Sequence, residues 1–500
     1  MFCQQTLLRG ARLFPSALAC VGGTSRLTFA ELGAQVAGLS AGLQARGLGR
    51  GDKLAVLLPN SPEFLALTYA CAWLGVLLVP LNSRLSVAEL DRILADCQPQ
   101  GLITHPSMPV PTHPLSWRLV LGEQPLPQAQ RPPSLPIYDP EAILGLFYTS
   151  GTTGVAKGVM LTHGNHVVNA LQISPQCLMN SQDVFLHAAP LFHMAAFQFI
   201  PLSASLGVCQ VTLPRFDPEA FCAMVERERV THTLLVPTMV NFLTLYERLP
   251  AYDLSSLRVL IYGGSPMAPE IVARCREKLP GCQLVQGYGM TETGPGLTML
   301  ADAEHVGERL RSCGRPLCGV ELEVVDDAGQ TLPRGERGCI RVRGLNVMKG
   351  YWNRPEETAT ALRDGWMYTG DIGYEDSEGY FYLVDRQKDM IITGGENVFP
   401  AEVEAVLYAH KAVREAAVIG IPDGNWGERV LACVCLHAGV TVSEQELQEH
   451  CRAQLASYKV PKQVVFFTAD LPKAGPGKIQ RRLLREQIAA AAGSGDRSGS

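Results

Sequence analysis

Short apolar runs with strand character recur along the first 300 residues, separated by stretches of helical spacing. Residues 54–58, 76–79, 101–104, 184–189, 233–236 and 259–262 are strand-like, and 85–96 and 218–228 carry helical patterns between them. Strand–helix alternation of this kind predicts parallel sheets covered by helices. Near the start, Leu7-Leu8-x-x-Ala11-x-Leu13 reads as an amphipathic helix ending at Pro15. Residues 64–83 run without a charge and are long enough to span a bilayer. Gly75 splits them into a helix-like half and a strand-like half closed by Pro80, so a buried helix followed by a buried strand is expected.

The pattern changes after Cys313. Short strands alternate with tight turns: 321–325, then Asp326-Asp327-Ala328-Gly329, then 338–343. Asp376-Ser377-Glu378-Gly379 followed by 380–384 reads as a further hairpin. From 387 to 487 helix and strand alternate again, over 401–408, 413–419, 430–436, 443–451 and 463–467, enough for a separate domain. Residues 105–140 hold ten prolines and read as a surface connection. The last residues, Gly-Ser-Gly-Asp-Arg-Ser-Gly-Ser, have linker composition. The expected fold class is α/β. It has a large N-terminal domain of parallel sheets and helices with a β-rich subdomain (1–386), a small C-terminal α+β domain (387–487) and a flexible tail (488–500). No internal repeat is visible.

Composition narrows the classes. The 500 residues are 47% hydrophobic, which excludes a largely disordered or fibrous chain. With 43 basic against 48 acidic residues the net charge is −5, and no basic stripe offers a nucleic-acid footprint. The 15 cysteines are scattered without a CxxC pair, the usage of a reducing compartment, and the 11 histidines show no metal-binding spacing. Residues 1–30 contain three arginines and no acidic residue, so a cytoplasmic location is expected, with the mitochondrial matrix as the alternative.

Chemistry concentrates in a few loops. Tyr148-Thr-Ser-Gly-Thr-Thr-Gly-Val-Ala-Lys-Gly158 packs hydroxyls and glycines behind an apolar strand. Glycines let backbone N–H groups approach phosphate oxygens, hydroxyls donate further bonds, and Lys157 adds charge. A P-loop NTPase is excluded, because counting from Gly151 the pattern meets Ala156 and Gly158 where it needs Gly and Ser or Thr. A Ser/Gly surface turn remains the bland alternative. A helix is expected to start at Asn165 as its N-cap. Tyr262-Gly-Gly-Ser-Pro-Met267 and Gln286-Gly-Tyr-Gly-Met-Thr-Glu292 each follow an apolar strand, where α/β proteins bind ligands. Tyr288 offers a flat face for a base and Glu292 a ligand for Mg2+; turn chemistry alone would explain either loop. Asp371 and Arg386 could equally be a surface ion pair, and Lys478 one more lysine in a basic segment.

Together these segments resemble the adenylate-forming superfamily of acyl-CoA synthetases, peptide-synthetase adenylation domains and luciferases. The resemblance runs from Leu27-Thr-Phe-Ala-Glu-Leu32 to 472–482, with the motifs in the family's order. They are 148–157, Pro190-Leu-Phe-His193, 263–267, 288–292, Tyr368-Thr-Gly-Asp371, Val384-Asp-Arg-Gln-Lys-Asp389, Gly394-Gly-Glu-Asn397 and Gly477-Lys478. The resemblance implies that Thr149, Ser150, Gly151, Thr152, Thr153, Gly154 and Lys157 hold the β- and γ-phosphates of ATP. Gly263, Gly264, Ser265 and Tyr288 would surround adenine, and Asp371, supported by Arg386, would accept the ribose hydroxyls. Thr291 would meet the α-phosphate and Glu292 would bind Mg2+.

Lys478 would bridge the attacking carboxylate and the α-phosphate. Two anions meet in that transition state, and an ammonium between them neutralises both. The family often has Thr or Asn where this chain has Ala474, which puts a supporting hydrogen bond in doubt but not the lysine. By the same resemblance Lys388 is the hinge, and Ser457-Tyr-Lys-Val-Pro-Lys462 meets coenzyme A. There Lys459 and Lys462 would face phosphates and Tyr458 or Trp426 would stack on adenine. Gly394, Gly395 and Glu396 would join the thioester step, Glu396 coming near His193 when the small domain turns.

The acyl pocket would be lined by His193, Met194, Ala195, Phe197, Gly263, Gly287, Gly294 and Pro295. It has no Arg or Lys for a second carboxylate, and three glycines give room for a ring or an acyl chain. The expected activity is ATP-dependent activation of an apolar carboxylic acid, fatty or aromatic, to acyl-AMP and then to acyl-CoA. Carrier-protein loading, a luciferase-like oxygenase and a non-catalytic adenylate sensor are the alternatives. With about twenty residues after Lys478, a fused carrier domain is not expected. Expected partners are the acid, ATP and CoA, without nucleic acid; a homodimer is admissible.

Overall fold

The Ser61 hydroxyl caps the helix Pro62–Leu74, and Gly75 ends it at φ 72°, a left-handed turn that only glycine adopts without strain. The chain then runs directly into the strand Leu77–Pro80. The uncharged stretch 64–83 is therefore a buried helix and a buried strand, as its glycine implies. The computed structural model describes residues 2–130, 134, 139, 141–149, 156–265, 267–386, 389–393, 396–423, 426–474 and 478–495, with the backbone only at 385, 386, 396, 397, 474, 478 and 491–495. No helix among the described residues is long and apolar enough to cross a membrane.

The chain divides into two units, residues 1–322 with 342–367, and residues 323–341 with 368–500. Two large sheets form the first. One has nine strands, in the order Arg315–Pro316, Gly296–Leu300, Gln283–Gly289, Val259–Gly263, His232–Leu235, Val184–His187, Cys209–Thr212, Leu18–Gly22 and Ser25–Thr28. The other has seven, in the order Gly350–Tyr351, Lys157–Thr162, Ile143–Thr149, Leu77–Pro80, Lys53–Leu57, Gly101–Thr104 and Trp117–Val120. Their central strands are parallel and their inner positions, such as Leu54, Val56, Leu260 and Leu284, are buried. Helices such as Pro62–Leu74 and Val87–Cys97 supply the crossovers such sheets require.

In the second unit, residues Asp371–Glu375 pair in antiparallel register with Phe381–Arg386, which sets Asp371 opposite Arg386. A five-stranded sheet follows. Glu396–Val398, Ile391–Thr393, Gly427–Leu436 and Val413–Asp423 lie in that order, and Gln463–Phe466 pairs parallel to Gly427–Leu436. The strand Gly427–Leu436 shows the period of two expected of a strand covered on both faces. Val430, Ala432 and Val434 join a core with Val403, Leu407 and Leu447, while Leu431, Cys433 and Cys435 face Leu471 and Leu484.

Several expectations need correction. Thr162, not Asn165, caps the helix His163–Cys177: its hydroxyl accepts from Asn165 N at 3.0 Å while Asn165 Oδ1 accepts from Thr162 N at 2.9 Å. Asn165 is the third helical residue of a capping box. The proline-rich stretch is not all connection, since Trp117–Val120 adds an edge strand to the seven-stranded sheet. Within the expected tail, residues 488–495 continue the helix Arg481–Gly495, where Ile488 packs on the Leu471–Leu484 core and an alanine run follows it, and 496–500 lie outside the described residues. The boundary expected at 386/387 follows the last residue of the strand Phe381–Arg386.

Candidate active site

Strands Ile143–Thr149 and Lys157–Thr162 form an antiparallel hairpin in which Thr149 stands opposite Lys157. The glycine- and hydroxyl-rich residues between them, Ser150, Gly151, Thr152, Thr153 and Gly154, lie outside the described residues. Lys157, at the loop end of the hairpin, is mostly buried. Its ammonium pairs with Glu357 at 2.5 Å and stands 5.1 Å from the centre of the Tyr351 ring. Tyr351 reaches this place because the two-residue strand Gly350–Tyr351 pairs with Val159 and Met160.

The same tyrosine faces the nine-stranded sheet. Its hydroxyl donates to Glu292 Oε1 at 2.9 Å, and Met348 N donates to Glu292 O at 2.8 Å. Asn346 Nδ2 donates to Thr293 O at 2.8 Å. Residues 346–351 thus stitch the turn Thr291–Thr293 to this hairpin. One carboxylate and one ammonium are held on either side of Tyr351. Glu292 is buried. A single buried carboxylate suits Mg2+, which takes one or two carboxylates and leaves its other positions to phosphate oxygens and water.

The two segments expected to surround adenine also meet. Val259–Gly263 and Gln283–Gly289 are adjacent parallel strands with Gly263 in register with Gly287. A Cβ on Gly263 would stand 2.2 Å from Gly287 O, so glycine is required there by the close approach of the two backbones. Gly264 takes φ 82° and turns the chain out of the sheet toward Ser265. Tyr288 is buried to 9% exposure, opposite Thr298.

The acyl-pocket expectation changes. Of its three glycines only Gly287 faces open space, with nothing within 4 Å of where a Cβ would sit. Gly263 is closed by Gly287 O, and Gly294, at φ 77°, has Asn346 O 2.9 Å from its Cβ position. Met194 is buried, and Phe197 is fully buried against Phe64, Phe147 and His166, in the core and not at an accessible pocket wall. Ala195 and Pro295 are described in the same region, Pro295 O accepting from Met290 N at 3.0 Å.

His193 sits just before the helix Met194–Phe197. Burial, with a smaller contribution from the nearby Arg84 guanidinium, pushes its imidazole down to about 4, so it is neutral near pH 7. Arg84, which is not among the expected pocket residues, is near enough to His193 to add to that shift. Its own pKa is lowered, first by burial and then by Arg215.

In the second unit Asp371 is buried, its N–H donating to Thr369 Oγ1 at 3.1 Å. Only the backbone of Arg386 is described, in register with Asp371. Lys478 lies in a two-stranded ribbon, Lys473–Ala474 against Lys478–Ile479, with its backbone alone described. The backbone of Glu396 opposes Thr393, whereas Lys388, Gly394 and Gly395 lie outside the described residues.

A match to the model of the AMP-binding enzyme family covers residues 7–352, and a match to the AMP-binding enzyme C-terminal domain covers 402–478. The chain belongs to the AMP-binding enzymes. Among its relatives a feruloyl-CoA synthase of Amycolatopsis is 44% identical over 96% of this chain and 98% of its own length. A long-chain-fatty-acid–CoA ligase of Mycobacterium tuberculosis is 37% identical over 93% of this chain and 94% of its own. The o-succinylbenzoate CoA synthetase of Bacillus subtilis, solved with its acyl-adenylate intermediate, superposes with a TM-score of 0.86 at 34% identity, covering 96% of this chain and 97% of that one. This AMP-binding enzyme is an acyl-CoA synthetase, an AMP-forming acid–thiol ligase that uses ATP, Mg2+ and coenzyme A.

Its expected CoA segment is less open than the sequence implies. Lys459 Nζ lies 2.7 Å from both oxygens of Glu402 and 5.8 Å from the Tyr458 ring centre, which commits its charge within the protein. Lys462 is exposed and donates to Ser457 O at 3.3 Å. Trp426 is 58% exposed, an unusual place for a large aromatic ring and one suited to stacking.

Two residues of this site escape motif reasoning. Tyr351 and Glu357 carry no recognisable spacing, and only the pairing of Gly350–Tyr351 with the hairpin reveals them.

Proposed function

We propose that the acid activated by this enzyme is aromatic, of the hydroxycinnamate kind. The open face of Gly287 carries the reading, because a flat ring needs a slot beside a strand and a side chain at 287 would fill it. The 44% identity to feruloyl-CoA synthase over nearly the whole chain supports it.

In the first step the carboxylate oxygen attacks the α-phosphorus of ATP. The new O–P bond forms as the bond to pyrophosphate breaks. Lys157, Thr149 and the loop that follows Thr149 hold the phosphates, Thr291 donates to the α-phosphate, and Lys478 neutralises charge between the two reacting anions. Glu292 would hold Mg2+, which would supply charge neutralisation on the phosphates. In the second step the CoA sulfur attacks the acyl carbon, the bond between that carbon and the phosphate oxygen breaks with AMP leaving as its phosphate, and the thiol proton passes to solvent. Burial lowers the His193 imidazole to about 4, which makes it a weak base, and it orients the acyl group by hydrogen bonding or packing. The C-terminal domain from residue 387 turns about Lys388 between the steps, since a lysine between carboxylate and phosphate and a channel for a thiol are different demands on one site.

Incubation with ATP, CoA and a panel of acids, following AMP and thioester together, tests the substrate reading. A hydroxycinnamate is expected to have the highest kcat/KM, ahead of a long-chain fatty acid and far ahead of malonate or succinate. A fatty acid or a dicarboxylate in first place overturns it.

A further inference from the structure

The ribbon that carries Lys478 is anchored on both legs, and the two anchors differ in kind. On the entering leg Lys473 Nζ lies 2.6 Å from Glu415 Oε1, and Leu471 N donates to Glu415 Oε2 at 3.1 Å. Glu415 belongs to the strand Val413–Asp423, so this leg is fixed to the sheet. On the leaving leg the anchor is Arg481, first residue of the helix Arg481–Gly495 and three residues after Lys478.

Arg481 is held by two carboxylates from different parts of the second unit. Its Nη2 donates to both oxygens of Glu404 at 2.9 Å, and its Nη1 donates to Asp389 Oδ2 at 3.2 Å. The three side chains are 18%, 16% and 13% exposed, so the charges are largely withdrawn from water and their attraction is little screened. Glu404 is itself fixed, since its Oε1 accepts from Val418 N at 2.7 Å. Asp389 is next in sequence to Lys388. One planar guanidinium therefore joins the Lys478 ribbon, the helix Pro400–Tyr408 and the segment that directly follows Lys388.

We propose that Arg481 is a positioning residue for adenylation, holding the Lys478 ribbon in fixed relation to the segment after Lys388 through its fork to Asp389 and Glu404. The inference rests on the reading of Lys478 as the lysine of the first half-reaction. A rotation that begins at 388 can deliver an ammonium accurately only if the ribbon moves with the first residues beyond the pivot. Misplacement by about 1 Å is enough to cost on the order of 100-fold in rate. A guanidinium fixes two carboxylates in a plane, whereas an ammonium on a flexible stem does not.

The test compares Arg481→Ala, Arg481→Lys and Asp389→Asn with Lys478→Ala in the full chain. It measures adenylation by pyrophosphate release and thioester formation from supplied acyl-adenylate. Both Arg481 variants should lose about 10- to 100-fold in the kcat of adenylation, with KM for ATP and acid within about twofold and the thioester step within about twofold. Asp389→Asn, which keeps the side-chain volume, should show the same split at smaller size and keeps the test open should Arg481→Ala not fold. In the Lys478→Ala background, Arg481→Ala should cost adenylation nothing further, because it acts through that lysine. Equal loss in both half-reactions, full rescue by Arg481→Lys, or an additive loss in the double variant overturns the proposal. Normal adenylation by Lys478→Ala itself would instead overturn the reading on which it rests.

Discussion

Tyr351 donates its hydroxyl to Glu292 Oε1 at 2.9 Å, while the face of the same ring lies 5.1 Å from Lys157 Nζ. The proposed Mg2+ carboxylate and the proposed phosphate lysine come from different sheets, and one side chain sets their spacing. A cation over an aromatic face gains of the order of 1 kcal/mol, and a buried carboxylate that loses a donor forfeits about as much or more.

Tyr351→Phe keeps the ring and removes the donor. Adenylation should fall about tenfold, equivalent to about 1.4 kcal/mol, because Glu292, which would hold Mg2+, loses a donor that fixes it. Conversion of supplied acyl-adenylate to thioester should be unchanged. Half-reaction rates check this, and an equal fall in both steps would show that the bond serves stability alone.

Gly287 and Gly263 stand in register yet should respond differently to a methyl group. Gly287→Ala meets open space, so it should leave folding intact and lower kcat/KM for a bulky aromatic acid several-fold more than for a small one. Gly263→Ala must displace Gly287 O from 2.2 Å and should cost stability whatever the acid. Thermal melts beside a two-acid kinetic comparison separate them; similar melts for both variants would show that the strands part more easily than this packing implies.

Much of this fold is legible in the sequence because its signals are local. Gly75 marks the break between helix and strand, and the alternating residues of 430–435 mark a strand covered on both faces. Tyr351 is not legible, because its role depends on a strand pairing between residues far apart in sequence. Phe197 and Gly294 follow a family motif into the neighbourhood of the acid, but packing against Phe64 and Phe147, and the nearness of Asn346 O, assign them to structure. Asn165 missed the cap by three residues because Thr162 and Asn165 are both good capping residues, and only their reciprocal bonds decide. The alanines after Ile488 were read with the Gly/Ser terminus they precede, although their own propensity is helical.

His193 has its imidazole lowered to about 4 by burial, with Arg84 adding to the shift. Thioester formation from supplied acyl-adenylate should therefore show no ionisation of a histidine near 6.5. His193→Ala should slow that step more than adenylation. A pH–rate profile with a limb near 6.5 that vanishes in His193→Ala would show that His193 acts as a general base.

Acid should weaken the fold before it affects most carboxylates. Burial lowers His163 and His166 to about 3 and His187 to about 4. Between those values and the ordinary histidine value near 6.5 the unfolded chain binds protons that the folded chain refuses, so stability rises with pH across that window and is lost as pH falls through it. Each of these histidines should cost about 1 kcal/mol at pH 5.5 relative to pH 7.5. Urea unfolding midpoints at the two values check this; equal midpoints would mean that the imidazoles are protonated in the folded protein.

The central claim is that one lysine serves one of two half-reactions. Lys478→Ala, followed by pyrophosphate release from ATP and acid and separately by thioester formation from supplied acyl-adenylate and CoA, tests it most directly. Adenylation should fall by several orders of magnitude while thioester formation stays nearly unchanged. Equal loss in both half-reactions would contradict the assignment of Lys478 to the first.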